Sequence, residues 1–369
     1  MIPTCESVST WNRRRFLRAT GLGGVAIAAA AVGHAQPGID APTDLVTPDT
    51  QAVIQRGIAY LARVQSPQGF WDDGQGPNIA VTGLAALALM AAGNQPGRGA
   101  FGRNVSRALD YCLTRGHGTP AGFLHGGDEA QGQSQMYEHG FGTLFLAELS
   151  GMLPTSERQM RLRDKLEQAV GVIFRSQSSK EGGWRYRAEP GESDVSVTVA
   201  QLMALRAARN AGVAVPKSIV DSAVDYIRAC QLPEGGFRYI KGVDTGGASF
   251  ARSAAAVVGL YCAGLYDDPA IARGLRYLKQ FQPNNRGQRD PRVERYYYYG
   301  HYYAALAMWT AGGDTWNTWF TAVRNDLISR ARTGPSGVWV DFGHGSAYAT
   351  AMALIILQLP NNYLPILQK

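Results

Sequence analysis

A single sequence unit repeats six times along the chain, and this repetition constrains the fold more than any other feature. Each copy joins an amphipathic helical pattern, a glycine-rich turn with an aromatic residue, and a second helical pattern rich in alanine and leucine. The first copy reads AVIQRGIAYLARVQSPQGFWDDG and then NIAVTGLAALALMAAG. Units of about 40 to 50 residues that contain two helices each are typical of helical repeat proteins.

The two helical patterns of each unit differ in polarity. The first mixes apolar and charged residues at helical spacing, as in GLRYLKQF, which predicts one solvent-exposed face. The second is almost entirely apolar or small, which predicts a helix that is buried on most sides. An open solenoid needs polar capping repeats at its ends, whereas the last copy ends in the apolar stretch TAMALIILQL. The sequence therefore predicts an all-α fold, an (α/α)6 toroid in which six helical hairpins over residues 51–369 form a single domain.

The N-terminal segment has the composition of an export signal. The stretch NRRRFLRATGLGG precedes the apolar run VAIAAAAVG, and the small residues Gly33 and Ala35 suit cleavage before Gln36. This pattern is typical of a twin-arginine signal. Its apolar run is shorter than the roughly 20 residues of a stable membrane span, and an uncleaved anchor is the alternative interpretation. We predict a signal at residues 1–35, a linker at 36–50, and an exported protein that resides in the periplasm or another extracytoplasmic space.

Charge and hydropathy argue against a nucleic-acid partner and against a stable membrane span in the mature chain. The formal net charge is +7, and the leader, with four arginines and Glu6, supplies +3 of it. Lysine and arginine do not cluster in the remainder, so we expect no nucleic-acid partner. No later stretch is long and apolar enough for a stable membrane span.

The predicted ring indicates where a functional site would lie. All inner helices of such a ring point the same way, so their N-termini converge and present unpaired N–H groups at one end. Arg252 stands among alanines there, and a buried guanidinium needs a partner, either an acidic ligand or one of the carboxylates Glu138 and Asp194. For the histidines and tyrosines of this region, hydrogen-bonded core positions and plain packing are the alternatives. The candidate catalytic residues are Asp194, Glu138, Tyr299 and Arg252.

Three of the turns share a motif that resembles a known repeat. The stretches QSPQGFW, QSSKEGGW and QLPEGGF each carry Gln, a short spacer, Gly and an aromatic residue. This resembles the repeat of squalene cyclases and protein prenyltransferase β subunits, the terpenoid cyclase α-toroid family, and the leader makes the chain similar to an exported bacterial member. The resemblance covers nearly the whole mature chain and implies the toroid fold. The structural interpretation of the motif is that Gln and Trp cap and staple adjacent helices.

The resemblance to squalene cyclases implies an acid at the N-terminus of an inner helix. Those enzymes use an Asp-rich motif whose middle Asp donates a proton to an alkene. The nearest match is SDVSVTVA, with Asp194 in the first position, Ser196 in the middle and Val197 in the third. Serine cannot protonate an alkene, so the protonating motif is degenerate, and cyclisation would need an acid from elsewhere.

The resemblance to prenyltransferase β subunits implies a zinc site. In YYGHYYAA, Tyr299 stands where that family has Asp and His301 where it has Cys, while DFGHGSAY supplies His344 at the matching His. Histidine can replace cysteine as a zinc ligand, although tyrosine is a poor substitute for aspartate. The same resemblance implies a second, cytosolic subunit, which an exported chain would not meet. His139, Asp194 or Asp341 would have to complete the ligand set.

Three functions fit these observations. Aromatic walls suit an isoprenoid or other lipid-like ligand, because their faces stabilise positive charge and cover alkyl chains. An exported carbohydrate-active enzyme on the same barrel would need a carboxylate pair, for which Glu138 and Asp194 are the inner candidates. A non-catalytic binding scaffold would present its ring to a partner protein. An apolar cavity favours the first function, a polar groove the second, and a centre filled with side chains the third.

Overall fold

Long helices alternate along the computed structural model, which describes residues 45–367 except positions 73, 75, 116–119, 127–134, 154–155, 244–245 and 284–289. The described residues belong to one compact unit. The first helix begins at Pro48, inside the predicted linker, and the side chain of its N-cap Thr47 accepts a hydrogen bond from the Thr50 N–H. The predicted export signal lies outside the described residues and stays a prediction.

The helices of each hairpin differ in burial, as the two sequence patterns predicted. The outer helices are α1 (Pro48–Val64), α3 (Gly102–Leu113), α5 (Ser156–Ser176), α7 (Lys217–Ala229), α9 (Pro269–Lys279) and α12 (Gly313–Thr333). The inner helices are α2 (Ile79–Ala91), α4 (Gln135–Leu149), α6 (Val195–Asn210), α8 (Phe250–Cys262), α11 (Tyr297–Ala311) and α13 (Gly345–Gln358). The short helix α10 (Pro291–Glu294) precedes α11, and β1 (Trp71–Asp72) pairs antiparallel with β2 (Pro77–Asn78) before α2.

The inner helices close into a ring. Each packs against the next in chain order, and α13, the last, packs against both α11 and α2. The contact of α13 with α2 joins the last hairpin to the first, so the ring has no open end that would need a polar cap. This arrangement confirms the predicted all-α toroid.

The outer helices carry one buried stripe each. In α9, Ile271, Gly274 and Leu278 are buried at helical spacing, whereas Arg273 and Arg276 on the other side are exposed. The helix begins with a proline at its first position, and the Asp268 side chain caps it by accepting from the Ala270 N–H at 2.8 Å. The proline and the Asp268 cap explain why the helix begins at Pro269.

The turn motif that three repeats share forms a hydrogen-bonded link between neighbouring outer helices. The Gln177 side-chain amide donates to the Gly182 carbonyl at 2.7 Å and to the Ile219 carbonyl of α7 at 2.8 Å. Gly182 has φ +88°, and a Cβ there would lie 2.4 Å from the Ser222 carbonyl oxygen, so the position requires glycine. We call this link the glutamine staple. It recurs twice, from Gln65 to Gly69 and Asn104, and from Gln231 to Gly235 and Ala270.

The turn aromatics connect the outer and inner helices. The Trp184 indole N–H donates to the Ile173 carbonyl of α5 at 2.7 Å, and its backbone N–H donates to the Thr198 hydroxyl of α6 at 3.0 Å. Trp71 and Trp339 donate in the same way to Leu61 and Leu327. The structural interpretation of the Gln and Trp motif is therefore confirmed. In the part of the chain that the structure describes, no helix is both long and apolar enough to cross a membrane.

Candidate functional site

The N-termini of the inner helices lie at one end of the ring. This is because every hairpin consists of an outer helix followed by an inner helix, so all inner helices point in the same direction. Side chains cap three of them: Asn78 accepts from the Val81 N–H at 3.0 Å, Asp194 from the Val197 N–H at 2.9 Å, and Ser249 from the Arg252 N–H at 3.4 Å. Each of these side chains accepts a hydrogen bond from an N–H group that has no partner within its helix.

Three partly buried tyrosines stand at this end of the ring. Tyr137, Tyr299 and Tyr348 stand on the first turns of α4, α11 and α13, and each keeps part of its surface exposed although it packs against the core. Burial raises the pKa of all three phenols well above its ordinary value, so they are neutral hydrogen-bonding groups at any physiological pH. We call the group formed by these three partly exposed rings the tyrosine recess.

Aromatic side chains form the floor of the tyrosine recess. One helical turn deeper, Phe141 on α4 and Tyr302 on α11 meet across the ring with their centroids 6.3 Å apart. Tyr303 is fully buried, and its ring centroid lies 4.8 Å from that of Tyr299. The centre of the ring below the three tyrosines is therefore filled with side chains.

Asp194 lies beside the tyrosine recess and is fully buried. Its Oδ1 atom caps α6, while Oδ2 is buried without a hydrogen-bond partner among the described residues. Burial raises the pKa of Asp194 to about 7, although the Val197 N–H and the Arg185 guanidinium offset part of the rise. Asp194 therefore holds a proton up to nearly neutral pH.

The Ser196 side chain on α6 lies beside Tyr137 on α4 and Tyr299 on α11. It occupies the middle position of the degenerate Asp-rich motif and is buried on the first turn of α6. Its hydroxyl partly offsets the effect of burial on the pKa of both Tyr137 and Tyr299. The side chain that stands at the expected acid position is therefore a neutral hydroxyl in contact with the tyrosine recess.

Arg252 sits at the rim of the same end and is half-buried. Its Nε donates to the Ser249 hydroxyl at 2.8 Å, and the guanidinium carbon lies 5.5 Å from the centre of the Tyr239 ring. Burial lowers the pKa of Arg252, and the neighbouring Tyr239 opposes this. Neither Glu138 nor Asp194 forms an ion pair with it among the residues that the structure describes.

Glu138 points away from the recess and toward α2. Its Oε2 atom accepts hydrogen bonds from the Ile79 N–H at 2.9 Å and the Gly126 N–H at 2.8 Å. Two backbone donors therefore engage this carboxylate at the start of α2. The structure does not bring Glu138 and Asp194 together as a carboxylate pair facing a common space.

Two of the histidines are core residues. His139 is fully buried, with Nδ1 accepting from the Leu124 N–H at 3.1 Å and Nε2 3.0 Å from the Ala169 carbonyl of α5. His301 on α11 lies between α8 and α12. Its ring centroid is 5.0 Å from that of Phe250 on α8 and 5.9 Å from that of Trp319 on α12. Burial lowers the pKa of each imidazole to about 3.

His344 is exposed, and its Nδ1 lies 3.1 Å from Asp341 Oδ1 at the start of α13. The three histidines proposed as zinc ligands thus occupy three separate environments. Among the described residues, no three His, Cys, Asp or Glu side chains are placed where they could hold a metal ion together. The structure therefore gives the zinc hypothesis no support.

The sequence interpretation missed two tyrosines of the site. Tyr186 and Tyr239 follow the turn aromatics of the third and fourth hairpins, and their hydroxyls are hydrogen-bonded to each other beside Asp194. The backbone carbonyl of Tyr239 also accepts from the Val195 N–H. The shared stretches GGWRY and GGFRY were the signal that could have identified them.

A small cavity opens at the opposite end of the ring. It measures about 40 Å³, far below the few hundred Å³ of typical ligand pockets. Helices α6, α8 and α11 contribute its walls near their C-terminal ends, with Met203, Val258, Tyr261, Leu306 and Trp309 among the lining residues.

Comparison with solved structures shows the same architecture in proteins of different chemistry, whereas no family model and no curated protein matches the chain. A variant of the type II terpene cyclase MstE from Scytonema, in complex with its substrate geranylgeranyl dihydroxybenzoate, aligns with a TM-score of 0.59 at 15% identity over 86% of this chain and 98% of that one.

Two sugar enzymes align as well. Cellobiose 2-epimerase from Spirochaeta thermophila has a TM-score of 0.60 at 15% identity, covering 87% of this chain and 99% of the enzyme. A D-mannose isomerase has a TM-score of 0.58 at 11% identity, covering 85% and 98%. The chain has the α/α toroid fold that type II terpene cyclases share with these sugar epimerases and isomerases, which confirms the fold that the resemblance implied.

Proposed function

We propose that this protein binds an isoprenoid or other lipid-like ligand in the tyrosine recess. The observation that carries the proposal is the partial exposure of Tyr137, Tyr299 and Tyr348 on converging inner helices, above a floor that is fully buried. Partly exposed aromatic rings that converge at one end of the ring offer apolar area to a ligand together with polar hydroxyl groups.

The chemistry of the site favours binding over alkene protonation. An acid that protonates an alkene must release its proton readily, whereas burial raises the pKa of Asp194 to about 7 and makes it a weak acid. Ser196 stands in the middle position of the motif and has no acidic proton to give. The fold is also that of a cyclase bound to an isoprenoid-bearing substrate, which supports the ligand class without supporting the same reaction.

The two alternatives receive less support. A carbohydrate-active enzyme would need a pair of carboxylates facing the substrate, and Glu138 is held instead by the N–H groups of Ile79 and Gly126. The side-chain-filled centre is the feature that a scaffold predicts. The partial exposure of the three tyrosines above it is the observation that favours a ligand instead.

Equilibrium dialysis with radiolabelled geranylgeraniol tests the proposal on the full chain. We expect saturable binding that Tyr299→Ala weakens by about tenfold or more, because the variant loses aromatic area at the mouth. Tyr363→Ala is the matched control, since Tyr363 is 59% exposed and lies outside the recess in the C-terminal segment. Circular dichroism of both variants verifies that the helices are intact. An absence of saturable binding, or equal losses in the two variants, would reject the proposal in favour of a scaffold.

A further inference from the structure

We propose that residues 364–367 are a removable lid over a preformed binding site at the C-terminal end of the inner helices, and that this site accepts a peptide segment with a branched aliphatic side chain. We call these residues the C-terminal lid. The proposal concerns the end of the ring opposite the tyrosine recess, so it goes beyond the proposed function and does not depend on it.

The C-terminal lid lies across the ends of several inner helices. The chain leaves α13 at Gln358, and the Asn361 side chain donates a hydrogen bond to the Ala91 carbonyl at the end of α2. The 3₁₀ turn Pro365–Leu367 then packs against α6. Ile366 lines the small cavity between α6, α8 and α11. The lid therefore covers the end of the ring at which these three helices stop.

The helices beneath the lid complete their own C-terminal ends. Gly212 follows α6 with φ +84°, and the next residue, Val213, donates its N–H to the Ala208 carbonyl in the last turn at 2.9 Å. The end of α8 is built in the same way around Gly264, whose φ is +88°. The helix α8 also packs against both α6 and α11. The walls of the site therefore form without the lid.

The site beneath the lid is largely apolar and almost filled. Met203, Val258, Leu306 and Trp309 supply most of its apolar wall, and Ile366 is the lid residue that faces the same cavity. The space that remains is about 40 Å³, which is room for little more than water. A branched aliphatic side chain is therefore the group that this site holds.

A buried carboxylate next to Ile366 selects a peptide over a plain hydrocarbon. Glu148, near the end of α4, is fully buried, and its Oε2 atom accepts a hydrogen bond from the Ile366 N–H at 3.3 Å. A carboxylate in a protein interior is stabilised by hydrogen-bond donors. A peptide presents an N–H group beside each side chain, whereas a hydrocarbon has none to donate. The ring thus contacts both the side chain and the backbone amide of Ile366.

The lid is held less firmly than the ring that it covers. The bond from the Ile366 N–H to Glu148 is longer than the roughly 2.7–3.2 Å of most N–H to O hydrogen bonds. Leu364 is buried, but Ile366 is only partly buried and the preceding Tyr363 is 59% exposed. Segments with few buried contacts open at a lower free-energy cost than the core does. We therefore expect the lid to leave its site while the ring stays folded.

Removal of residues 364–369 tests the proposal. We expect the shortened chain to unfold cooperatively in urea and to bind a fluorescein-labelled peptide NYLPIL saturably, as measured by fluorescence anisotropy. The full chain should bind this peptide at least about tenfold more weakly, because its own lid competes at a high effective concentration. Two control peptides examine the named groups. Ile366→Asn removes the aliphatic side chain and N-methylation at Ile366 removes the donor to Glu148, and each change should weaken binding by about tenfold.

The thiol of Cys262 gives a second measurement. Cys262 lines the same cavity and is partly buried, whereas Cys112 and Cys230 are buried away from it. Removal of the lid, or Ile366→Asn in the full chain, should raise the rate of maleimide labelling at Cys262 about tenfold, located by mass spectrometry, and the peptide should lower it again. Tyr363→Asn is the control, since this exposed residue precedes the lid. Continued protection of Cys112 and Cys230 verifies that the fold is intact.

Three outcomes would overturn the proposal. A shortened chain that no longer unfolds cooperatively would show that residues 364–369 belong to the core. A folded chain that does not bind the peptide, or in which Cys262 is labelled at an unchanged rate, would show that no preformed site lies beneath the lid. Protection of Cys262 by geranylgeraniol but not by the peptide would assign the site to a lipid. The proposed function is tested separately, by Tyr299→Ala at the other end of the ring.

Discussion

Replacing Asp194 by asparagine should change the pH dependence of folding stability in a defined direction. The pKa of Asp194 is raised by burial from 3.8 to about 7, so the folded protein binds this proton more tightly than the unfolded chain. The stabilisation is complete below pH 3.8 and is lost as pH rises through 7. Asparagine resembles the protonated acid in shape, can keep the hydrogen bond to the Val197 N–H, and does not titrate.

The expected magnitude follows from the size of the pKa change. Each pKa unit is worth about 1.4 kcal/mol, so ionisation of Asp194 in the folded state costs about 4 kcal/mol at pH 8 relative to pH 4. Wild type and Asp194→Asn should therefore have similar stability near pH 4. Near pH 8 the variant should be more stable by about 4 kcal/mol, a large fraction of the total stability of a typical domain.

Urea denaturation followed by circular dichroism at several pH values measures this difference. Subtracting the two proteins at each pH removes the contributions of the buried histidines and of every other group that they share. Asp267→Asn is the control, because Asp267 is exposed on the loop between α8 and α9 and its replacement should give a flat difference. A flat difference for Asp194→Asn as well would refute the description of Asp194 as a buried, easily protonated acid.

Three further predictions concern the ring itself and one of its core histidines. Gln177→Ala removes two hydrogen bonds of the glutamine staple and should cost about 1–3 kcal/mol in urea denaturation, whereas the exposed Gln168→Ala should cost almost nothing. Gly182→Ala should cost more than about 2 kcal/mol, because alanine is strained at φ +88° and its Cβ would meet the Ser222 carbonyl oxygen at 2.4 Å; an unchanged denaturation midpoint would contradict this. The pKa of His139 falls from 6.5 to about 3 on folding, so wild type should lose about 3 kcal/mol relative to His139→Gln between pH 7 and pH 4, and a loss on raising the pH instead would be the wrong sign.

The sequence was sufficient for the fold because every repeat carries the same local information. Caps such as Asp268 before Pro269 mark helix starts, and the amphipathic stripe of α9 differs visibly from the apolar α8. The turn motif gave the position of the glutamine staple, since Gln, Gly and Trp each have a fixed geometric role there. The apolar end of the last copy correctly indicated closure, which the contact of α13 with α2 provides.

The sequence located the end of the ring that carries the recess but could not assign its side chains. An inner helix is buried on all sides, so its hydrophobic pattern has no polar face to show which residues point to the centre. On α4, Tyr137 and Phe141 face the centre, while His139 between them contacts Ala169 of α5. Successive positions on a helix differ by about 100°, so a residue two positions from a recess tyrosine faces nearly the opposite way.

The same helix geometry explains why His301, a proposed zinc ligand, does not line the end of the ring. His301 follows Tyr299 by two positions and therefore faces the outer helix α12, where it packs against Trp319 rather than lining the mouth. Motif matching compares residue types along the chain and could not show that, among the described residues, no group of three possible ligands lies together. Asp194 was named from its place in the Asp-rich motif before an inner helix, and the structure places it there as the N-cap of α6.

The separation between staple and recess also explains how one fold accommodates different ligands. The glutamine staples and the tryptophan bonds act at the outer turns, and none of their donors or acceptors lies in the tyrosine recess. Residues such as Tyr299 and Ser196 can therefore change without loosening the links that close the ring. The solved neighbours agree with this, since a terpene cyclase and sugar epimerases or isomerases keep the toroid at 11–15% identity. In this chain the first two turns of the inner helices carry neutral phenols and, at the cap of α6, a buried carboxyl group, and the proposed function rests on these groups rather than on the fold.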